Sequence, residues 1–247
     1  MKKRHVVPSL ITIGNLFCGF LAISYVMDGR LVQAGWLIVI AAFLDAMDGK
    51  IARAMRTPSR FGVEFDSLAD VCSFGLAPAA LIYSFLSRTC GLDETWAVAL
   101  SFLFLLCGGL RLARFNSQQK GFEKKNITGL PIPSASSTLV AFVIFSEKVW
   151  SGPATLEVSV ILTILLSLLM VSTLEYDSFP KLAPGSWWNR VKLGYFLTGA
   201  VLTVLYAEEV FFPLAITYAM SGVVRRAVMA LRHRPVAERL DDAGPSF

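Results

Sequence analysis

Long apolar runs constrain this chain more than any other feature. Inside a bilayer no water is available to backbone N–H and C=O groups, so a crossing segment must close its hydrogen bonds within itself, as a helix. Such a crossing takes about 20 predominantly apolar residues. Eight candidate runs are visible, at roughly 8–27, 31–50, 65–86, 95–112, 134–150, 157–173, 193–207 and 210–224. Of the 247 residues 55% are hydrophobic, and the mean hydropathy is +0.59, too apolar for a soluble domain of this length. The expected fold is therefore an all-α integral membrane protein of about eight transmembrane helices. Residues 1–227 would form one transmembrane domain, and residues 228–247 a polar, disordered cytoplasmic tail. No internal repeat is visible. The basic and then apolar N-terminus lacks a small-residue cleavage site and reads as a retained first helix.

Charge placement sets the orientation. If the N-terminus is cytoplasmic and all eight runs cross, all but three of the 23 Lys and Arg residues fall on the cytoplasmic side. The exceptions are Arg30, Arg88 and Lys148. Both termini are then cytoplasmic, and the net charge of +5 reflects topology, with some attraction to anionic lipid headgroups. The expected location is the cell (inner) membrane. Nothing in the sequence points to nucleic acid.

Against this apolar background one acidic stretch stands out, DAMDGKIARAMRTPSRFGVEFDSLAD, from Asp45 to Asp70. An ionised aspartate at mid-membrane costs about 2.5–3.5 kcal/mol, so four uncompensated ones cost on the order of 10 kcal/mol. Carboxylates kept at that cost mark a functional site. Helical neighbours lie three and four residues apart, so Asp45, Asp48, Gly49 and Ala52 share one face and Gly62, Asp66 and Asp70 another. A short turn around Thr57, Pro58 and Ser59 would bring the two faces together near the cytoplasmic surface. Glycine and alanine leave room for a ligand. Oxygen-only donors suit hard divalent cations such as Mg2+, Mn2+ or Ca2+. Arg53, one turn beyond Asp48, can reach a phosphate.

Other polar residues in the runs are candidates for the same cavity. Ser73 lies one turn beyond Asp70. Arg111 and Arg114 share a helical face, with Asn116 close behind, and can bind an anion such as a substrate carboxylate or anchor the helix at the inner surface. Asn15, in the first run, either hydrogen-bonds across helices or lines the cavity. The polar stretch that ends in GLPIP would shape the entrance. The fifth and sixth runs, with little polar content, read as lipid-facing or packing helices. Cys18, Cys72, Cys90 and Cys107 have no paired spacing that would suggest zinc or a disulfide framework. His5 and His233 stand at the chain ends, away from any catalytic position, and no Gly-rich nucleotide loop is present.

The pattern D-x2-D-G-x2-A-R-x8-G-x3-D-x3-D resembles the signature of the CDP-alcohol phosphotransferase family, membrane enzymes of phospholipid synthesis. Asp45, Asp48, Gly49, Ala52, Arg53, Gly62, Asp66 and Asp70 match all eight of its positions. NLFCGFLAI, DSLADVCSFGLAPA, GLRLARFN, GLPIPSAS and LMVSTLEYDSFPK are similar to its phosphatidylserine synthase branch. The resemblance implies transfer of a phosphatidyl group from CDP-diacylglycerol to L-serine, with release of CMP. It implies two divalent ions, Mg2+ or Mn2+, held by Asp45, Asp48, Asp66 and Asp70, and Asp70 as general base. It gives Gly49, Ala52, Gly62 and Arg53 to the CDP-lipid, and it implies a homodimer among membrane lipids. Arg111, Arg114, Asn116 and Ser73 are the candidates for binding the amino alcohol. Transfer to glycerol 3-phosphate, inositol phosphate or choline is the alternative within the family. A divalent-cation transporter is the alternative outside it.

Overall fold

In a computed structural model the described residues are 6–55, 60–119, 129–150, 152, 155–174 and 207–232. Every regular element among them is helical. The helices are α1 (Val6–Met27), α2 (Leu31–Met55), α3 (Arg60–Asp70), α4 (Ala77–Ser84), α5 (Glu94–Gln119), α6 (Ile132–Lys148), α7 (Thr155–Val171) and α8 (Ala207–Arg232). α3 and α4 are one rod, joined by the π-helical turn Val71–Leu76 and extended by a second one, Phe85–Thr89. Seven helical rods thus stand among the described residues. Four segments are long and apolar enough to cross a membrane: Leu10–Met27, Leu31–Gly49, Phe61–Thr89 and Glu94–Ser117. The expected run at 193–207 lies outside the described residues except for Ala207, as do the turn at 57–59 and the tail from His233 onward. The last helix runs through Arg232, five residues into the stretch expected to be tail.

Sequence explains the local choices. α1 ends where Arg30 N–H bonds Tyr25 O (2.8 Å) and Gly29 N–H bonds Val26 O (3.0 Å), a paired C-cap that reverses the chain into α2. The wide turn after Asp70 has Ala77 N–H reaching back to Cys72 O. Pro78 follows at once; it has no N–H for the Phe74 carbonyl, and its ring would press on it, so a loosened turn there relieves the clash.

The α3–α4 rod and α6 form the centre. Phe74, Leu81, Ile82, Phe85 and Leu86 of the rod are fully buried, as are Ile132, Leu139, Phe142 and Ile144 of α6. Phe85 and Phe142 meet edge to face at 6.3 Å. α6 is buried around most of its circumference, as a core helix should be. Of the two readings of the fifth run, lipid-facing or packing, the fold selects packing: low polarity marks a helix enclosed by protein as well as one facing lipid. The outer helices show lipid-type faces, Leu10, Ile13, Phe17 and Phe20 on α1 and Phe102, Leu106 and Leu110 on α5. Their spacing of three and four residues keeps each set on one stripe.

Close backbone approach fixes where α1 meets the rod. A Cβ on Gly19 would come within 2.7 Å of Ser73 Cα, a clash no side-chain motion can relieve. Small residues of this kind let membrane helices pack at short range.

Candidate active site

Two helix ends and one lining helix build the acidic site. Asp45 and Asp48 lie at the end of the apolar segment of α2, which continues to Met55, and α3 returns with Asp66 and Asp70. Asp45, Asp48 and Asp66 each offer a carboxylate oxygen, and the three oxygens lie within 4.8 Å of one another. Asp48 is buried, and Asp45, Asp66 and Asp70 are half-buried. Thr12 Oγ1 donates to Asp48 Oδ2 at 2.9 Å, so α1 orients one carboxylate of the set. Asp70 stands one turn deeper along α3 and is not among the three.

Among the described residues these charges find little compensation. Two carboxylates 4.8 Å apart repel by about 3 kcal/mol at an effective dielectric of 20. No described cationic side chain lies within ion-pair distance of any of them. Asp66 Oδ1 and Asp70 Oδ1 are buried with no hydrogen-bond partner. Each such orphan costs about 1–3 kcal/mol or more when charged. Converging hard oxygens with orphaned lone pairs fit a divalent cation. Gly49 and Gly62 flank the site, half-buried. Ala52 and Arg53 lie in the last turns of α2, and their side chains are outside the described residues.

The four further candidates separate. Arg111 is 7% exposed, its guanidinium lies over the Phe115 ring at 5.1 Å, and its Nε has no partner. It is close enough to Asp70 for the two charges to act on each other. Arg114 instead turns to α7, donating to Val171 O (2.9 Å) and Ser172 O (3.0 Å). Beside it Gly129, at φ +82°, and Leu130 donate backbone N–H groups to Leu174 and Leu169 carbonyls. The arginine and the start of GLPIP thus satisfy the open carbonyls of a helix C-terminus. Ser73 is fully buried and donates to Asn15 O at 3.0 Å, which ties the π turn to α1. Asn116 Nδ2 donates to Ser67 Oγ (2.8 Å), linking α5 to α3 beside Asp66. Ser73, Arg114 and Asn116 therefore hold helices together around the site, and Arg111 is the member of this set with an unused buried donor.

Sequence reasoning missed Thr12. The available signal was two polar residues, Thr12 and Asn15, three apart on one face of an otherwise apolar helix.

Comparison with known proteins gives this geometry a family. The model of the CDP-alcohol phosphatidyltransferase family matches residues 5–172, which span α1 to α7 and hold the whole acidic site. A CDP-diacylglycerol–serine O-phosphatidyltransferase of Helicobacter pylori is 34% identical over 225 residues, 90% of this chain and 91% of that protein. One of Methanocaldococcus jannaschii is 31% identical over 225 residues, 91% and 96% of the two chains. One of Bacillus subtilis is 34% identical over 188 residues, 74% of this chain and 99% of that protein. The helices, the converging aspartates and these matches agree: the chain is a membrane protein and an enzyme of the CDP-alcohol phosphatidyltransferase family.

Proposed function

We propose that this chain is a phosphatidylserine synthase, moving the phosphatidyl group of CDP-diacylglycerol to the hydroxyl of L-serine. The observation that carries the reading is the convergence of Asp45, Asp48 and Asp66, with Asp70 one turn away, at the family's signature positions. The names of relatives matched along most of their length support serine as the substrate.

Asp45, Asp48, Asp66 and Asp70 would hold two Mg2+ or Mn2+ ions, which supply charge neutralisation at the diphosphate when bound. Gly49, Ala52 and Gly62 leave space for the cytidine nucleotide, and Arg53 holds a phosphate. The serine hydroxyl oxygen attacks the phosphorus that carries diacylglycerol; the bond from that phosphorus to the CMP oxygen breaks, and CMP leaves. Asp70, whose buried Oδ1 is unpartnered, receives the hydroxyl proton. An aspartate is a weak base near neutral pH, so positioning of the hydroxyl carries much of the rate. Arg111 holds the serine carboxylate through its free Nε. Ser73, Arg114 and Asn116 act on serine only by fixing the helices around it.

The reading extends to the whole chain. α7 ends beside α8's C-terminal half, where Arg226 Nη1 donates to Thr173 Oγ1 at 3.2 Å. α8 begins at the other face, where Lys148 pairs with Glu208 at 3.7 Å. These contacts put the C-terminal ends of α7 and α8 on one face and the start of α8 on the other, which fits the orientation with both termini and the acidic site at the cytoplasmic side of the cell membrane. The family resemblance further implies a homodimer.

CMP release by the purified protein with CDP-diacylglycerol, with and without L-serine and Mn2+ or Mg2+, tests the proposal. Metal-dependent release stimulated by serine, with lipid-linked serine as product, is the expected result. Stimulation by a different alcohol overturns the substrate and keeps the family. A protein that carries divalent ions across vesicles without turnover overturns both.

A further inference from the structure

Asn15 is fully buried beside the site, and neither end of its carboxamide has a partner. Its position is set by bonds on either side. Thr12, one turn earlier on the same face, holds Asp48. The Asn15 carbonyl receives the hydroxyl of Ser73, one turn beyond Asp70. Helical side chains lean toward the N-terminus, so the amide covers the turn between these two attachments and points back toward the acidic site.

The π turn that follows Asp70 is flanked on its other side by α5. A Cβ on Gly75 would meet Leu105 Cδ1 at 3.0 Å, and α5 goes on to carry Arg111. Around the start of this turn, three helices therefore supply three buried groups with unused hydrogen-bonding capacity. They are the Asn15 amide on α1, Asp70 Oδ1 on α3 and Arg111 Nε on α5.

We infer that Asn15 receives the ammonium group of the amino alcohol and thereby sets the preference for a zwitterionic substrate. The inference rests on the proposed function. Serine carries a hydroxyl, a carboxylate and an ammonium; Asp70 takes the first and Arg111 the second, and the ammonium still needs an oxygen. Asn15 Oδ1 is a neutral one. A carboxylate there would add a fifth negative charge beside four aspartates and would compete with serine for cations, whereas an amide accepts a hydrogen bond without either effect.

The test uses the full-length protein in detergent and Asn15→Leu, which keeps the side chain's size and removes its polarity. Three quantities are measured: the melting temperature without ligands, Mn2+-dependent CMP binding, and the KM for L-serine against the Ki of 3-hydroxypropionate, which is serine without its ammonium. Removing a buried polar group that has no protein partner leaves the melting temperature equal to or above that of the wild type. CMP binding stays within about twofold, while the preference for serine over 3-hydroxypropionate falls about tenfold or more. Equal weakening toward both acids overturns the inference, as does loss of CMP binding, which would place Asn15 at the nucleotide or the metal. A lower melting temperature or a failure to fold also overturns it, because the amide would then be an interhelical bond. Wild-type protein that does not use serine sinks the proposed function itself, a result separable from all of these.

Discussion

At the scale of single residues, the site is a set of like charges with no described cationic side chain within ion-pair distance. Asp45, Asp48 and Asp66 bring oxygens within 4.8 Å, and removing one charge relieves repulsion. Asp45→Asn should therefore raise the melting temperature of protein stripped by EDTA and abolish the rise that Mn2+ produces in the wild type. Binding at 100 times the dissociation constant adds about 2.7 kcal/mol of stability, so a thermal melt with and without Mn2+ can read it. Thr12 acts through Asp48. Thr12→Val keeps the shape and loses the hydroxyl, and the Mn2+ concentration for half-maximal CMP release should rise about 10–100-fold, as for other partners of metal-binding side chains. For Asp70→Asn, kcat should fall about 100–10,000-fold, the range of a lost general base, with Mn2+-dependent CMP binding retained. Loss of CMP binding instead would assign Asp70 to the metals alone.

Helices decide which of these residues can meet. The two arginines near the end of α5 are three positions apart and nearly equivalent by spacing, yet one is enclosed beside Asp70 and the other caps α7. Arg111→Ala should raise the serine KM while leaving the CDP-diacylglycerol KM nearly unchanged. Arg114→Ala should act on stability: charged hydrogen bonds of this kind contribute about 1.5–3 kcal/mol, so the melting temperature falls. Correctly folded Arg114→Ala should keep the wild-type serine KM, which saturation kinetics on the gel-filtered fraction will show. Contact between α1 and the π turn depends on Gly19, where any Cβ runs into the Ser73 backbone. Overpacking of that sort costs about 1–3 kcal/mol. Gly19→Ala should depress melting temperature and activity together, because the displaced turn directly follows Asp70.

Across the whole molecule, the acidic site opens at the helix ends opposite to Lys148 and Glu208. If that face is cytoplasmic, a cysteine at Ser117 should react with an impermeant maleimide in inverted vesicles, and one at Asp93 in intact spheroplasts; the reverse pattern would turn the protein over. Much of this architecture is legible in the amino-acid order, because it follows from local spacing and from the solvent the chain must enter. Lipid allows few conformations, so apolar runs read as helices, and charge flanks read as orientation. Carboxylates are costly enough in such a setting that their spacing on Asp45–Asp48 and Asp66–Asp70 marks the site and the family. Neither periodicity nor composition tells protein from lipid, since both are apolar solvents for a side chain. Hence the fifth run reads equally as a lipid-facing or a packing helix, and the fold puts α6 in the core. Nor does helical spacing say which neighbour a polar group will find: Ser73 turns to α1, Arg114 to α7 and Asn116 to α3. The helices and the chemistry of the acidic face are thus properties of sequence alone, set by hydropathy and by residues a few positions apart. Which polar side chains are used up in packing, and which, like Asn15 and Arg111, remain free to hold a substrate, depends on contacts between residues far apart in the chain, and those exist only once the helices have packed.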